Sequence, residues 1–300
     1  MTEPLAYLNG RFLPQGEARL ALNDAGFVFG ATVTDLVRTF AHRPFHLADH
    51  LRRFRQSCAL AHIPQPRSDD DLTAIAERLV THNAALLRPG QDLALVLFAT
   101  PGPLGHYLGD PNDGPPTLGL HTFPLPFARY ARLFREGARL VVPATRHVPA
   151  TSIDPRVKQR SRLHWWLAEQ EARQVEPGAS ALLLDADGYV TETAFANLLV
   201  VRGGAVQTPA RAGVLGGVSL QVVEELCEKL GVPFAERPLR LDDCRAADEA
   251  MLSCTSFCLA GVSRLQSTPL AFPGPIFERL LRAWGDLAGL DVRAQILAGG

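Results

Sequence analysis

The stretch ALLLDADGYVTETAFANLLVVRGGAVQTP, residues 181–209, constrains the fold more than any other part of the chain. It holds three apolar runs parted only by the turn-forming DADG and RGG. Links that short join antiparallel strands, because a parallel crossover takes roughly a dozen residues or more. The segment therefore predicts an antiparallel meander. Strand patterns cluster in this way elsewhere too, with helices covering them, so the chain reads as α+β instead of a regular β-α alternation. A doubly wound nucleotide-binding fold is disfavoured.

Towards the N-terminus, AYLNGRFLP predicts a hairpin around Asn9-Gly10. A strand is expected through FVFGATVTDLVRTFAHRPFHL, with a turn near Arg43-Pro44. In LADHLRRFRQSCALAHI, Leu47, Leu51, Phe54, Cys58 and Ala61 recur at intervals of three and four, the mark of an amphipathic helix. A second helix is expected through DDDLTAIAERLVTHNAALL, then strands at DLALVLFAT and PTLGLHTF around a loop rich in Gly and Pro. The run PLPFARYARLFREG reads as a link, which divides the 300 residues into a small N-terminal domain (1–123), an interdomain linker (124–137) and a large C-terminal domain (138–300). The C-terminal part resumes with a strand at ARLVVPATRHV. In GVLGGVSLQVVEELCEKLGV, Leu220, Val223, Leu226 and Leu230 share a helix face that ends at Gly231.

Bulk properties exclude several classes. Lys plus Arg total 30 against 31 acidic residues, which points away from nucleic acid and from acidic membrane surfaces. The five cysteines, Cys58, Cys227, Cys244, Cys254 and Cys258, lack the paired spacings of a zinc site, so no metal is expected and reduced thiols in a cytoplasmic protein fit best. Neither a leader pattern nor an apolar run of about 18 residues is present, and no membrane association is expected.

The chemistry-bearing residues begin with Lys158 in DPRVKQRSRLHWW, at the junction of a coil and an amphipathic helix. It is one of two lysines, with Lys229, in a chain that otherwise uses arginine. A desolvated amine is a nucleophile able to condense with an aldehyde, which a guanidinium cannot do. In GYVTETAFANLLV the pleat puts Val190, Glu192 and Ala194 on one side, so the Glu192 carboxylate needs a proton or a cation, and Asn197 could brace it. A carboxylate against a pyridine nitrogen keeps that nitrogen protonated and makes the ring an electron sink. The glycines of LGGVS let backbone approach an anion, with the amides of Val218 and Ser219 opening a helix, although the Lys-Ser/Thr ending of a nucleotide loop is missing. Hydroxyls at Ser253, Thr255 and Ser256 in MLSCTSFC and the guanidinium of Arg53 in HLRRF complete a set suited to a phosphate dianion. Taken singly, each has an ordinary reading as a solvated charge or as core packing.

In their order along the chain these residues resemble the class IV, or fold-type IV, pyridoxal-phosphate enzymes, which include branched-chain and D-amino-acid aminotransferases and aminodeoxychorismate lyase. The likeness runs from YLNGRFLP to MLSCTS. DAGFVFGATVTDLVRTF is similar to the family's D-x-G-x-x-F-G-D-G stretch, HLRRF to H-x-x-R, TETAFANLL to E-x-x-x-x-N and LGGVS to the first phosphate turn. The resemblance implies a fold of a smaller N-terminal α/β sandwich and a larger C-terminal domain with a mainly antiparallel barrel-like sheet. It implies pyridoxal 5'-phosphate as cofactor and Lys158 as the Schiff-base residue. Glu192 and Asn197 would attend the ring nitrogen, and Arg53, Gly217, Val218, Ser219, Cys254 and Thr255 the phosphate. Departures exist: Phe29-Gly30-Ala31-Thr32 replaces F-G-D-G, LVLFAT lacks the arginine of branched-chain enzymes, and Asp35 stands where aminotransferases carry Glu. Ser161-Arg162 is similar to the Asn-Arg of the lyase branch.

The resemblance implies a transaminase that moves an amino group between an amino acid or amine and a 2-keto acid, with Lys158 as anchor and general acid–base. Candidate substrate contacts are Asp35, Arg38, Arg129 and Arg162. A homodimer whose sites borrow a loop from the partner is also implied. Two alternatives stay open at this point: a lyase that releases pyruvate without an acceptor, and a non-catalytic pyridoxal-phosphate-binding protein.

Overall fold

Asn9 and Gly10 both take positive φ, 47° and 90°, and turn β1 (Leu5–Leu8) back into β2 (Arg11–Pro14) with Leu8 opposite Arg11. That is the conformation the Asn-Gly pair favours. The computed structural model describes residues 3–65 and 67–299. It separates into one unit of Met1–Leu125 with Arg156–Ser161 and a second of Pro126–Pro155 with Arg162–Gly300.

In the first unit, residues 25–28 form the short helix α1 (Ala25–Val28) where a strand was expected to begin. The reason is local: Asp24 Oδ1 accepts from Gly26 N at 2.7 Å and starts a helical turn, a choice that a short apolar run leaves undecided. The strand β3 (Val33–Phe40) follows, then β4 (Arg43–Pro44), α2 (Leu47–Leu60) and α3 (Asp69–Ala84), the last opened by a capping box between Ser68 and Asp71. With β5 (Leu93–Thr100) and β6 (Thr117–Pro124) the strands form one antiparallel sheet in the order β2-β1-β6-β5-β3-β4. Leu51, Phe54 and Cys58 of α2 and Leu72, Ala76 and Leu79 of α3 are buried with Leu5, Val33, Val37, Leu95 and Leu97 of the sheet in one core. Burying each large side chain contributes about 1.5–3 kcal/mol. Val157, from far along the chain, packs against the same core.

The second unit opens with α4 (Phe127–Glu136), so the stretch 124–137 expected as a link is mostly a helix with an apolar face of Phe127, Ala131 and Phe134. Next come β7 (Ala138–Val141), α5 (Leu163–Val175), β8 (Ser180–Leu184), β9 (Val190–Thr193), β10 (Asn197–Arg202) and β11 (Ala205–Thr208). The meander has four strands where the sequence shows three runs. TETAFANLLVV is broken by a tight turn in which Thr193 Oγ1 accepts from Ala196 N at 3.0 Å and donates to the Ala196 carbonyl. The chain continues through α6 (Val218–Leu230), β12 (Phe234–Glu236), α7 (Leu241–Arg245), β13 (Glu249–Cys254), β14 (Cys258–Leu265), β15 (Thr268–Pro269), α8 (Pro275–Ala288) and α9 (Val292–Ala298).

The sheet order is β12-β11-β10-β13-β14-β7-β8-β9, and β9 pairs back onto β10 at Glu192 and Asn197. This pairing closes β10, β13, β14, β7, β8 and β9 into a barrel-like ring. Most pairs are antiparallel; β14–β7, β7–β8 and β11–β12 are parallel. Among the described residues no helix is long and apolar enough to cross a membrane.

Candidate active site

Lys158 lies in the first unit, five residues before α5, on an extended segment instead of at the mouth of the helix. Its main chain is held at both ends: Lys158 N donates to Ser57 Oγ at 3.1 Å, and its carbonyl accepts from Thr34 N at 2.8 Å. Gln159 bridges to Val33, and Arg160 N donates to the Thr32 carbonyl at 2.9 Å. An isolated antiparallel bridge to the start of β3 on one side and the Ser57 hydroxyl on the other fix the Lys158 backbone.

Asp35 collects donors from both α2 and its own strand, the Leu36 N–H donating to Oδ1 at 2.7 Å. Arg53 donates from Nε to Oδ2 at 2.9 Å and from a terminal nitrogen to Oδ1 at 2.7 Å, and His50 Nδ1 donates to Oδ1 at 2.8 Å. The carboxylate is fully buried, at 0% exposure. Burial by itself would raise its pKa, but Arg53 and then His50 outweigh that and hold it well below the usual carboxylate range. Desolvation pushes His50 down against the pull of Asp35, with the Arg53 and Lys158 charges adding to the lowering. Asp35, expected as a substrate contact, has its oxygens held by Arg53, His50 and the Leu36 N–H, and it is buried. The spacing of His50 and Arg53 places both on one face of α2, a signal present in HLRRF that sequence reasoning used for Arg53 alone.

In the second unit Glu192 is gripped by groups from three segments. Asn197 Nδ2 donates to Oε2 at 3.1 Å and also to the Leu215 carbonyl at 2.9 Å. Leu215 N donates to Oε1 at 3.2 Å. Gly217 is required here: a Cβ on it would stand 2.1 Å from Asn197 Oδ1. His147 Nε2 lies 3.6 Å from Glu192 Oε1, a neighbour the sequence did not disclose.

Gly217 is the N-cap of α6 and no side chain caps this helix, so the first-turn amides, Val218 and Ser219 among them, point outward without intrahelical acceptors. Ser253 stands directly opposite Asn197 in the β10–β13 register, which puts both side chains on one face of the sheet. Its hydroxyl is buried without a protein hydrogen-bond partner. Cys254 and Thr255 are half-buried at the turn that follows. The chemistry of this set fits pyridoxal phosphate. Outward amides and an unsatisfied buried hydroxyl suit phosphate oxygens, and a braced carboxylate suits a pyridine nitrogen.

The remaining substrate candidates are dispersed. Arg38 is buried with its guanidinium 4.3 Å from the Phe40 ring centroid, and Arg129 is exposed on α4. Arg162 donates to the Ala194 carbonyl and lies near the rings of Phe195 and Trp165, at 5.3 and 5.9 Å. That places it beside the turn carrying Glu192.

The family described as amino-transferase class IV matches residues 32–265. A putative branched-chain-amino-acid aminotransferase of Methanocaldococcus jannaschii is 29% identical over 83% of this chain and 84% of its own length. A D-alanine aminotransferase of Listeria innocua is 27% identical over 93% of this chain and 97% of its own. Among solved structures, the branched-chain aminotransferase of the archaeon Thermoproteus uzoniensis with norvaline superposes with a TM-score of 0.84 at 23% identity. The match covers 95% of this chain and 94% of that one, and its likeness shows the fold.

Proposed function

The chain belongs to the class IV aminotransferases, and from that premise we propose how its own residues carry out amino-group transfer. It is a pyridoxal-phosphate-dependent transaminase, working between an amino acid or amine and a 2-keto acid. The cofactor supplies an aldehyde carbon that accepts the amino group and a pyridinium ring that withdraws electrons from the bond to be broken.

Lys158 Nζ is assigned as the nucleophile that anchors the cofactor and as the base that takes the proton from substrate Cα. Its held backbone limits how far that amine can wander. Glu192, braced by Asn197 and Leu215 N, attends the pyridine nitrogen. The amides of Val218 and Ser219, the close approach at Gly217, and Cys254 and Thr255 hold the phosphate, with Arg53 as its cation. Asp35 and His50 act through Arg53 by fixing its guanidinium. Arg162 is the substrate-carboxylate contact that we favour, because it sits beside the Glu192 turn. We infer a cytoplasmic homodimer, on the resemblance alone.

The observation that carries the reading is the family match over residues 32–265, which contains every residue given a cofactor role. The test is a visible spectrum of the purified protein titrated with L- and D-amino acids and amines. A donor-driven change that disappears in Lys158→Ala, with turnover that requires a keto-acid acceptor, is expected. Turnover without an acceptor would establish a lyase. A cofactor band that no donor moves would establish a binding protein.

A further inference from the structure

His147 has no part in the roles above, and it faces Glu192, on whose assignment this inference rests. Its Nδ1 is 2.9 Å from the Val148 carbonyl oxygen. A carbonyl only accepts, so Nδ1 carries a proton. Nε2 then sits 3.6 Å from Glu192 Oε1, too long for a hydrogen bond and short enough for a charge pair. With Nδ1 already protonated, a neutral ring would turn the Nε2 lone pair toward a carboxylate, whereas the doubly protonated ring turns a cation. Both side chains are only 12% exposed, which limits screening of that attraction.

The other groups around the ring act in the same direction. From α5, His164 lies 5.9 Å and Trp165 5.4 Å away between ring centroids. Burial pushes His164 down to about 4, and the charges of His147 and Arg162 add to that. Of the two imidazoles, His147 is the one that faces the Glu192 carboxylate.

We propose that His147 is a positioning residue that holds the Glu192 carboxylate in place as the partner of the cofactor's pyridine nitrogen, so that cofactor retention depends on a cationic side chain at position 147.

The test uses the full chain with pyridoxal 5'-phosphate as probe. In the cofactor-free protein, the Nε2 nitrogen NMR resonance of His147 is compared between wild type and Glu192→Gln, and it is expected to move when the carboxylate is removed. Cofactor affinity is expected to weaken about fivefold in His147→Gln and to stay close to wild type in His147→Arg, which keeps a cation there. An unmoved Nε2 resonance in Glu192→Gln, or wild-type affinity in His147→Gln, overturns the proposal and leaves the function untouched. If the wild-type protein takes up no cofactor while the two side chains remain coupled, the assignment of Glu192 falls and this proposal falls with it.

Discussion

Gly217→Ala strikes the contact on which the Glu192 brace depends. The new Cβ would lie 2.1 Å from Asn197 Oδ1, about 1 Å short of any tolerable separation, so the amide has to withdraw. Asn197 is buried and its Nδ2 makes two bonds, to Glu192 Oε2 at 3.1 Å and to the Leu215 carbonyl at 2.9 Å. A bond to a charged group is worth about 1.5–3 kcal/mol and a neutral one about 0.5–1.5, and no water can take their place at once. The expected loss is about 2–4 kcal/mol, divided between stability and cofactor binding. All three tryptophans, Trp165, Trp166 and Trp284, belong to the second unit, so denaturant unfolding followed by tryptophan fluorescence reads the unit that holds Gly217. Equilibrium dialysis with pyridoxal phosphate reads the binding share. Gly216→Ala is the control, because a Cβ there meets nothing within 4 Å, and it should stay within about 0.5 kcal/mol of wild type. A Gly217→Ala protein that matches wild type in both assays would refute the idea that Asn197 is locked between these groups.

Asp35→Asn should destabilise the first unit by about 3–5 kcal/mol, since it leaves Arg53 buried without its counter-charge. Because the Asp35 carboxyl is depressed in the folded state, its contribution is present above about pH 4 and lost as the pH falls further. The gap between variant and wild type, followed by circular dichroism, should therefore narrow in acid. His164 is held down to about 4, so it opposes folding as the pH drops from its ordinary value of about 6.5. His164→Phe should flatten the pH dependence of the urea midpoint in that window, and an unchanged slope would count against its burial. Cys58 and Cys244 are raised to about 12 and Cys227 to about 11 by burial, so a thiol reagent at pH 8 should label half-buried Cys254 first and leave these three unmodified in native protein. Peptide mapping after labelling decides this.

Local chemistry made much of this molecule legible before any coordinates. The Asn9-Gly10 hairpin, the periodic faces of α2, α3 and α6, and Gly231 in the left-handed conformation at the end of α6 all follow from neighbours a few residues apart. The same holds for the order of the motifs around Arg53, Lys158, Glu192 and Ser219, which was enough to suggest the family. What the sequence could not decide was every feature that joins distant segments. Periodicity places Lys158 near a helix, yet its backbone bonds go to Ser57 and Thr34, more than a hundred residues earlier. The pleat of β3 shows which way Asp35 points but not that Arg53 and His50 wait there, and nothing local to Glu192 announces His147 or the closure of β9 on β10. Turn and helix signals are written in short-range sterics and hydrogen bonding, whereas strand partners and buried charge pairs are chosen by packing across the folded chain, and only the tertiary structure holds that information.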